Sequence, residues 1–440
     1  MRVRFWGTRG SIAKPGPSTL RYGGNTSCIE VRANDGTLVV IDCGTGSHDL
    51  ARALLSGPAP ATRGHLLVSH THWDHIQGFP FFDPLFVGGS EWDVHAPGGR
   101  AQHLRSALAG QMSYDYHPVM LDAGEGTLRF HDLSEGVFQA GSIRVTSQYL
   151  NHPALTLGYR LEADGCAVVY ASDHEPHLLP PPGPDPVTPT HLEDRRHVRF
   201  LEGADLVIHD AQYTLADFPA KAGWGHSPTE AVVDYAIAAG IGRLALHHHD
   251  PLRDDDAVDR LAEAAQRRAS RARTTPEVFA AREGAVIELA ARPQCRAPAP
   301  AERRSALLPV EAGRVPTVML LGTHPDLLRS IRAALEAERL RVVHCPDATA
   351  ALRMARAEPP SLFIIGDGDS SERELDVCRA VREDAHLAEV PVLMLTDARH
   401  DAEEMASAFR AGASDCLVHP LKPTLLRARV RTWLLRGRPA

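Results

Sequence analysis

The sequence predicts an α/β chain in two folded parts: a mixed α/β domain over residues 1–290 and a doubly wound (βα)5 domain over 315–438. Three observations carry that expectation. At 440 residues the chain is longer than one hydrophobic core normally serves. Residues 291–314 are dominated by Ala, Pro and Arg and lose any apolar period, as a semi-stiff linker does. On either side of that stretch, strand-like and helix-like runs alternate, in two different textures.

In the first part, "RVRFWG", "SCIEVRA", "TLVVIDCG" and "HLLVSH" read as short strands separated by Gly, Asn and Asp turn signals. "TEAVVDYAIAAG" (Thr229–Gly240) places Ala231, Val232, Tyr235, Ala238 and Ala239 at helical spacing. Ser227 as N-cap, Pro228 in the first turn and Glu230 as the capping-box acid would start that helix, and Gly240 would stop it. "PHLLPPPGPDPVTPT" (Pro176–Thr190) holds too much proline for a helix interior or a central strand and predicts a surface loop. In the second part the alternation is strict. "TVMLLG", "LRVVHC", "SLFIIGD", "PVLMLTD" and "DCLVHP" are Val-, Ile- and Leu-rich strands, each followed by an amphipathic helix. Five such units describe a parallel sheet covered on both faces.

Composition narrows the function classes. A hydrophobic content of 43% with 23% charged residues describes an ordinary globular chain. The net charge of −8 argues against a dedicated nucleic-acid binder. The opening "MRVRFWGTRGS" has no apolar signal core, and no run is long enough to span a membrane. Seven scattered cysteines without a CxxC pair fit reduced thiols, and the expected location is the cytoplasm.

The strongest chemical signal is "LLVSHTHWDHIQG" (Leu66–Gly78), which sets His70, His72, Asp74 and His75 directly after an apolar strand. Imidazole and carboxylate are the donors that hold zinc-class divalent ions, and alternating residues in such a loop can face two neighbouring centres. Later strand ends offer more donors: His152 in "YLNHPALTLGY", Asp173 in "AVVYASDHEP", and His247, His248 and His249 in "RLALHHHDP". Asp42 in "IDCGTG" is placed to brace the metal histidines from behind.

The HxHxDH pattern resembles the signature of the metallo-β-lactamase superfamily, over about Met1 to Leu289. The resemblance implies an αββα sandwich with two metal ions. One would be held by His70, His72 and His152, the other by Asp74, His75 and a late histidine, with Asp173 bridging. His248 is the choice among the three, from alternation along "LALHHH" and from the family pattern; His249 is the alternative. Zinc is the expected metal, with manganese or iron as alternatives.

"VIHDAQYT" and "GHSPTEAVVDYA" are similar to motifs of the ribonuclease Z and class III cyclic-nucleotide phosphodiesterase group, with Asp210 where glutamate is usual and Pro228 where threonine is expected. That likeness implies that His226, oriented by Asp210, protonates the leaving oxygen, and that Asp74 orients the nucleophile as well as ligating. The implied activity is hydrolysis by a metal-bridging hydroxide, with a small phosphodiester or related ester as substrate. Transfer RNA is disfavoured because Asp173 follows His152 with no Gly- and Lys-rich arm between them. The competing readings are an arylsulfatase, a thioester hydrolase, or a non-catalytic metal or redox signalling module.

From about Val315 to Arg436 the five β–α units resemble a response-regulator receiver, the input domain of a phosphorelay. The phosphorylation parts depart from the pattern. Thr323 and His324 replace the acidic pair, and Gly366 stands at the phosphoacceptor position with Asp367 one step later. Thr396 is kept, and His419 replaces the lysine. Without clustered carboxylates there is no Mg²⁺ site, so a non-phosphorylatable receiver is expected, serving dimerisation or the docking of a signalling partner.

Overall fold

The computed structural model describes residues 1–56, 60–98, 103–291, 315–322, 325–336, 338, 340–345, 347–366, 372–397, 407–419, 421 and 423–436. The expected linker from residue 292 onward, Thr323, His324, Asp367 and most of the fourth receiver helix lie outside them. The chain divides into two compact units, Met1–Pro309 and Val310–Ala440.

The first unit holds fourteen strands: β1 Arg2–Gly7, β2 Cys28–Arg32, β3 Leu38–Ile41, β4 Arg63–Leu67, β5 Glu91–Pro97, β6 Thr127–Leu133, β7 Gly136–Ala140, β8 Ile143–Tyr149, β9 Leu157–Ala163, β10 Cys166–Ala171, β11 Leu206–Asp210, β12 Arg243–His247, β13 Glu277–Ala280 and β14 Val286–Glu288. They form two seven-stranded sheets, ordered β14-β1-β2-β3-β4-β5-β6 and β13-β12-β11-β10-β9-β8-β7. Inner strands such as β3, β10 and β11 are short and buried on both faces because helices and the facing sheet cover them, whereas β6 and β14 keep exposed positions. In β3, Leu38 and Val40 pack with Leu50 and Leu54 of the helix Ser47–Leu55, while Val39 and Ile41 are equally buried on the other face. In β11, Val207 packs with Val232, Val233 and Ala236 of the helix Thr229–Ala238, while Leu206 and Ile208 are buried opposite. The layering is therefore helix, sheet, sheet, helix. Two tyrosines tie the sheets together: Tyr159 donates to the Val68 carbonyl at 2.7 Å, and Tyr170 to Asp42 Oδ2 at 2.6 Å.

This arrangement positions the site. Strands β3 and β4 are parallel, as are β10, β11 and β12, so their carboxyl ends open on common edges. Asp42 follows β3, His70 follows β4, Asp173 follows β10, Asp210 ends β11 and His248 follows β12. The segment between His152 and Asp173 is a plain antiparallel hairpin of β9 and β10.

One helix start differs from expectation. Pro228, not Ser227, is the N-cap of Thr229–Ala238, and it has no side-chain cap bond. The polar groups of Ser227 are taken elsewhere: its hydroxyl donates to the His174 carbonyl at 2.6 Å and its N–H to Asp210 Oδ2 at 3.1 Å. Glu230 accepts from the Leu215 N–H instead of closing a capping box.

The second unit is a five-stranded parallel sheet of β15 Thr317–Leu321, β16 Arg341–Cys345, β17 Leu362–Ile365, β18 Val392–Asp397 and β19 Asp415–His419, ordered β16-β15-β17-β18-β19. Alternation sends Leu362 and Ile364 to a core shared with Ile331 and Val430, and Phe363 and Ile365 to one shared with Ala351 and Val381. The expected doubly wound fold is the one found, with the first strand inside the second. Gly366 has φ +144°, and a Cβ there would lie 2.7 Å from the Leu395 carbonyl oxygen.

Candidate metal centre

The turn after β4 places His70 and His75 in the interior, while His72 keeps some exposure. Each inward histidine has one ring nitrogen fixed from behind. His70 Nδ1 lies 3.1 Å from Ser69 Oγ, His75 Nδ1 2.7 Å from Asp42 Oδ2, and His152 Nδ1 3.0 Å from the Gly225 carbonyl. Their Nε2 atoms thereby face Asp173, and His152 Nε2 also lies 3.1 Å from His72 Nδ1. Asp42 also accepts from the Ser69 N–H and Oγ and from Tyr170, which holds its carboxylate against His75.

Asp173 sits at the middle. Its Oδ2 lies 3.7 Å from His70 Nε2, 3.5 Å from His75 Nε2, 3.9 Å from His152 Nε2 and 3.8 Å from His226 Nδ1. Its Oδ1 lies 3.3 Å from His248 Nε2. Asp74 Oδ2 lies 3.0 Å from His248 Nε2 and 3.4 Å from His75 Nε2, and accepts the Ser11 N–H at 2.7 Å. Ligand atoms lie within 4.8 Å of one another in three overlapping groups: His70, His72, His152 and Asp173; Asp74, His75 and His248; and Asp173, His226 and His248.

These spacings suit a coordination shell better than a hydrogen-bond network. Donors about 2.0–2.2 Å from one tetrahedral ion lie about 3.3–3.6 Å apart. Most of the contacts to Asp173 are too long to be hydrogen bonds. His70 Nε2 and His75 Nε2 are buried without a hydrogen-bond partner, a costly state for a polar atom unless a ligand satisfies it. Burial also holds His70 well below the ordinary imidazole range and His152 at about 3, so both present the neutral lone pair that a metal needs. The residues present therefore fit a pair of zinc-class ions.

Of the three late histidines, the structure brings His248 to the cluster, for a reason other than strand alternation. Strand β12 ends at His247, and His248 turns out of it with φ +60°. His247 Nε2 faces the Gly7 carbonyl and His249 Nε2 the Ala281 carbonyl, so neither reaches the cavity. Room for His248 comes from Gly10, where a Cβ would fall 2.3 Å from its Nδ1.

His226 stands over the same cavity. Its Nδ1 lies 3.2 Å from Asp210 Oδ2, and its ring stacks on His248 at 4.9 Å. Burial disfavours the imidazolium, but the carboxylates of Asp210, Asp173 and Asp74 outweigh it and lift the pKa to about 9. Asp210 also accepts the N–H groups of His174, Gln212 and Ser227.

Sequence reasoning missed Glu175. Its carboxylate accepts the N–H groups of Gly223 and Gly225, at 2.9 and 2.7 Å, and so clamps the loop that carries His226. Gly225 has φ +89°, and a Cβ there would strike His152 Nδ1 at 2.1 Å. Only its place two residues after Asp173 in "SDHEP" hinted at Glu175.

Residues 37–249 match the model of the Beta-lactamase superfamily domain, and residues 318–431 that of the Response regulator receiver domain. The chain joins these two families. Ribonuclease Z of Lactococcus lactis subsp. cremoris is 27% identical over 290 residues, 56% of this chain and 88% of that protein. Ribonuclease Z of Natronomonas pharaonis is 29% identical over 282 residues, covering 56% and 86%. Among solved structures, the metallo-beta-lactamase fold protein YhfI of Bacillus subtilis aligns with a TM-score of 0.47 at 19% identity, over 65% of this chain and 99% of that one. The chemotaxis response regulator CheY4 of Vibrio cholerae aligns with a TM-score of 0.25 at 22% identity, over 27% of this chain and 99% of its own. No described helix of the chain is long and apolar enough to cross a membrane.

Proposed function

We propose that the beta-lactamase superfamily domain is a dinuclear, zinc-class phosphodiesterase acting on small phosphodiesters, followed by a receiver that does not take up phosphate. That the domain is a metal-dependent hydrolase rests on its family and on its ribonuclease relatives. The finer reading rests on one observation above all: the Asp173 carboxylate lies among the inward-facing imidazoles of both sets, Oδ2 3.5–3.9 Å from His70, His75 and His152 and Oδ1 3.3 Å from His248. In this reading His70, His72 and His152 hold one ion, Asp74, His75 and His248 the other, and Asp173 both. Bound there, the ions supply Lewis acidity toward a phosphoryl oxygen and lower the pKa of water.

The chain's own residues do the rest. Asp74, fixed by the Ser11 N–H, orients the attacking water as well as ligating. Asp210 turns Nδ1 of His226 toward itself, which leaves Nε2 to deliver a proton to the leaving oxygen. Lys221 supports an anionic substrate: its Nζ lies 4.4 Å over the half-exposed Trp224 ring and 5.6 Å over Tyr213, whose ring is 5.7 Å from His226. The plain hairpin between His152 and Asp173 and the net charge of −8 favour a small ester over a folded RNA.

Zinc-loaded protein is expected to hydrolyse bis-p-nitrophenyl phosphate in preference to aryl sulfate and thioester probes. His226→Ala is expected to lower kcat by about 10²–10⁴-fold, the usual worth of a general acid, with zinc content unchanged. Faster turnover of a sulfate or thioester, or a His226→Ala protein as active as its parent, would replace this reading.

A further inference from the structure

A second group of metal-type donors lies outside the centre described above. His177, His191 and Asp194 bring their ligand atoms within 4.8 Å of one another. Asp194, in the first turn of the helix Leu192–Leu201, is fully buried, His191 nearly so, and His177 mostly so. The two imidazoles stack with centroids 4.8 Å apart and planes 20° from parallel. His177 Nδ1 lies 3.3 Å from Asp194 Oδ1, and His191 Nδ1 lies 3.8 Å from Asp194 Oδ2. The second distance is beyond a hydrogen bond and, with the first, close to the ligand spacing of one small ion.

The carboxylate is already oriented for such a role. Asp194 Oδ1 accepts the His177 N–H at 3.0 Å and the Tyr235 hydroxyl at 2.8 Å, and Oδ2 accepts the Leu178 N–H at 3.0 Å. His177 Nδ1 also lies at hydrogen-bond distance of Oδ1, so of the roughly four acceptor positions of an ionised carboxylate the open one is on Oδ2. Two imidazoles and one carboxylate make a donor set of the zinc class, with water able to complete the shell.

The position gives the ion a task. His177 and His191 stand at the two ends of the proline-rich loop that the sequence singled out. Prolines carry no N–H, so such a loop has few backbone donors with which to pin itself. Its far end is held by Arg268, which donates to the Gly183 carbonyl at 2.8 Å, and by Arg271 beside Asp185 at 3.2 Å. Its base has His177, Asp194 and His191. The incoming strand end carries Asp173 and the Glu175 clamp only a few residues earlier.

We propose that His177, His191 and Asp194 bind a third divalent zinc-class ion, which closes the base of the proline-rich loop and stiffens the segment that carries Asp173 and Glu175. The proposal does not depend on the phosphodiesterase reading. The test counts zinc by elemental analysis in the full chain after loading with Zn²⁺ and desalting, in the parent and in a His72→Ala/Asp74→Ala background. His191→Ala is expected to remove one equivalent in both. His177→Gln, at the most exposed of the three positions, is expected to do the same and covers the case in which His191→Ala does not fold. In the background variant, added Zn²⁺ is expected to raise the thermal midpoint by several degrees, and His191→Ala to abolish that rise. A count unchanged by both substitutions would overturn the proposal and leave a stacked histidine pair anchored by Asp194. Because the difference is also read without the main ligands, a failed catalytic reading is a separate result.

Discussion

At the scale of single residues, the centre is organised by groups that do not face the cavity. Asp42 is the clearest case. It is fully buried, sits at φ +59°, and spends its acceptor positions on Ser69, Tyr170 and His75. A carboxylate behind a metal histidine fixes its tautomer and raises its basicity, and removing such a partner typically costs about 10–100-fold in metal affinity. Asp42→Asn isolates that charge, because asparagine tolerates left-handed backbone about as well as aspartate. The expected outcome is zinc held about 10–100-fold more weakly, measured by chelator competition, with the fold intact by circular dichroism. Unchanged affinity would mean that Asp42 serves packing alone.

At the scale of elements, three neighbouring strands carry a second lesson about histidine. His65 on β4, His95 on β5 and His131 on β6 gather around Asp93, with His131 Nε2 2.8 Å from its Oδ1 and the His95 and His131 rings stacked at 4.6 Å. His95 is 4% exposed, and neither of its ring nitrogens has a hydrogen-bond partner. Burial, with added repulsion from His131 and His65, depresses its pKa to about 3. The unfolded chain titrates near the ordinary histidine value, about 6.5, so between these values the unfolded state binds the extra proton. The stability this residue supports is therefore complete above about pH 6.5 and is lost as pH falls toward 3. His95→Phe, which keeps the stack on Phe138, is expected to flatten the acid limb of urea-unfolding free energy against pH; an unaltered slope would place the acid sensitivity elsewhere.

Elements were also where the sequence was easiest and hardest to read. The receiver strands follow from apolar runs buried on both faces, a local signal. The HxHxDH turn was legible because four donors sit within one loop. Of the two grounds for choosing His248, the family pattern and strand alternation, the second does not apply, because a left-handed turn after β12 breaks the alternation. Ser227 misled as a cap because tertiary bonds to His174 and Asp210 outbid the helix end. Glu175 was invisible for the same reason: its partners Gly223 and Gly225 lie on a segment far away in sequence.

At the scale of the whole molecule, two families with separate cores share one chain, and the receiver's chemistry can be judged on its own. Its architecture is that of a phosphoswitch, yet a phosphoswitch needs a cation site made of clustered carboxylates and an aspartate at the end of the third strand. Strand β17 is followed by Gly366, whose backbone packs so closely on Leu395 that a side chain there would strike the carbonyl. After β15 the sequence offers Thr323 and His324, which are not carboxylates. Thr396, at the end of β18, survives but is buried, with its hydroxyl unpartnered. In the proposed reading, a receiver fold whose sequence has Thr323 and His324 for the acidic pair and Gly366 for the acceptor keeps its surface and loses the reaction, which favours a constitutive docking or dimerisation module. Incubating the full chain with labelled acetyl phosphate and Mg²⁺ is therefore expected to leave no acid-stable, base-labile label. Stable incorporation that disappears in Asp367→Asn would show that the neighbouring aspartate has taken over the acceptor role, and the regulatory reading of the second unit would change from scaffold to switch.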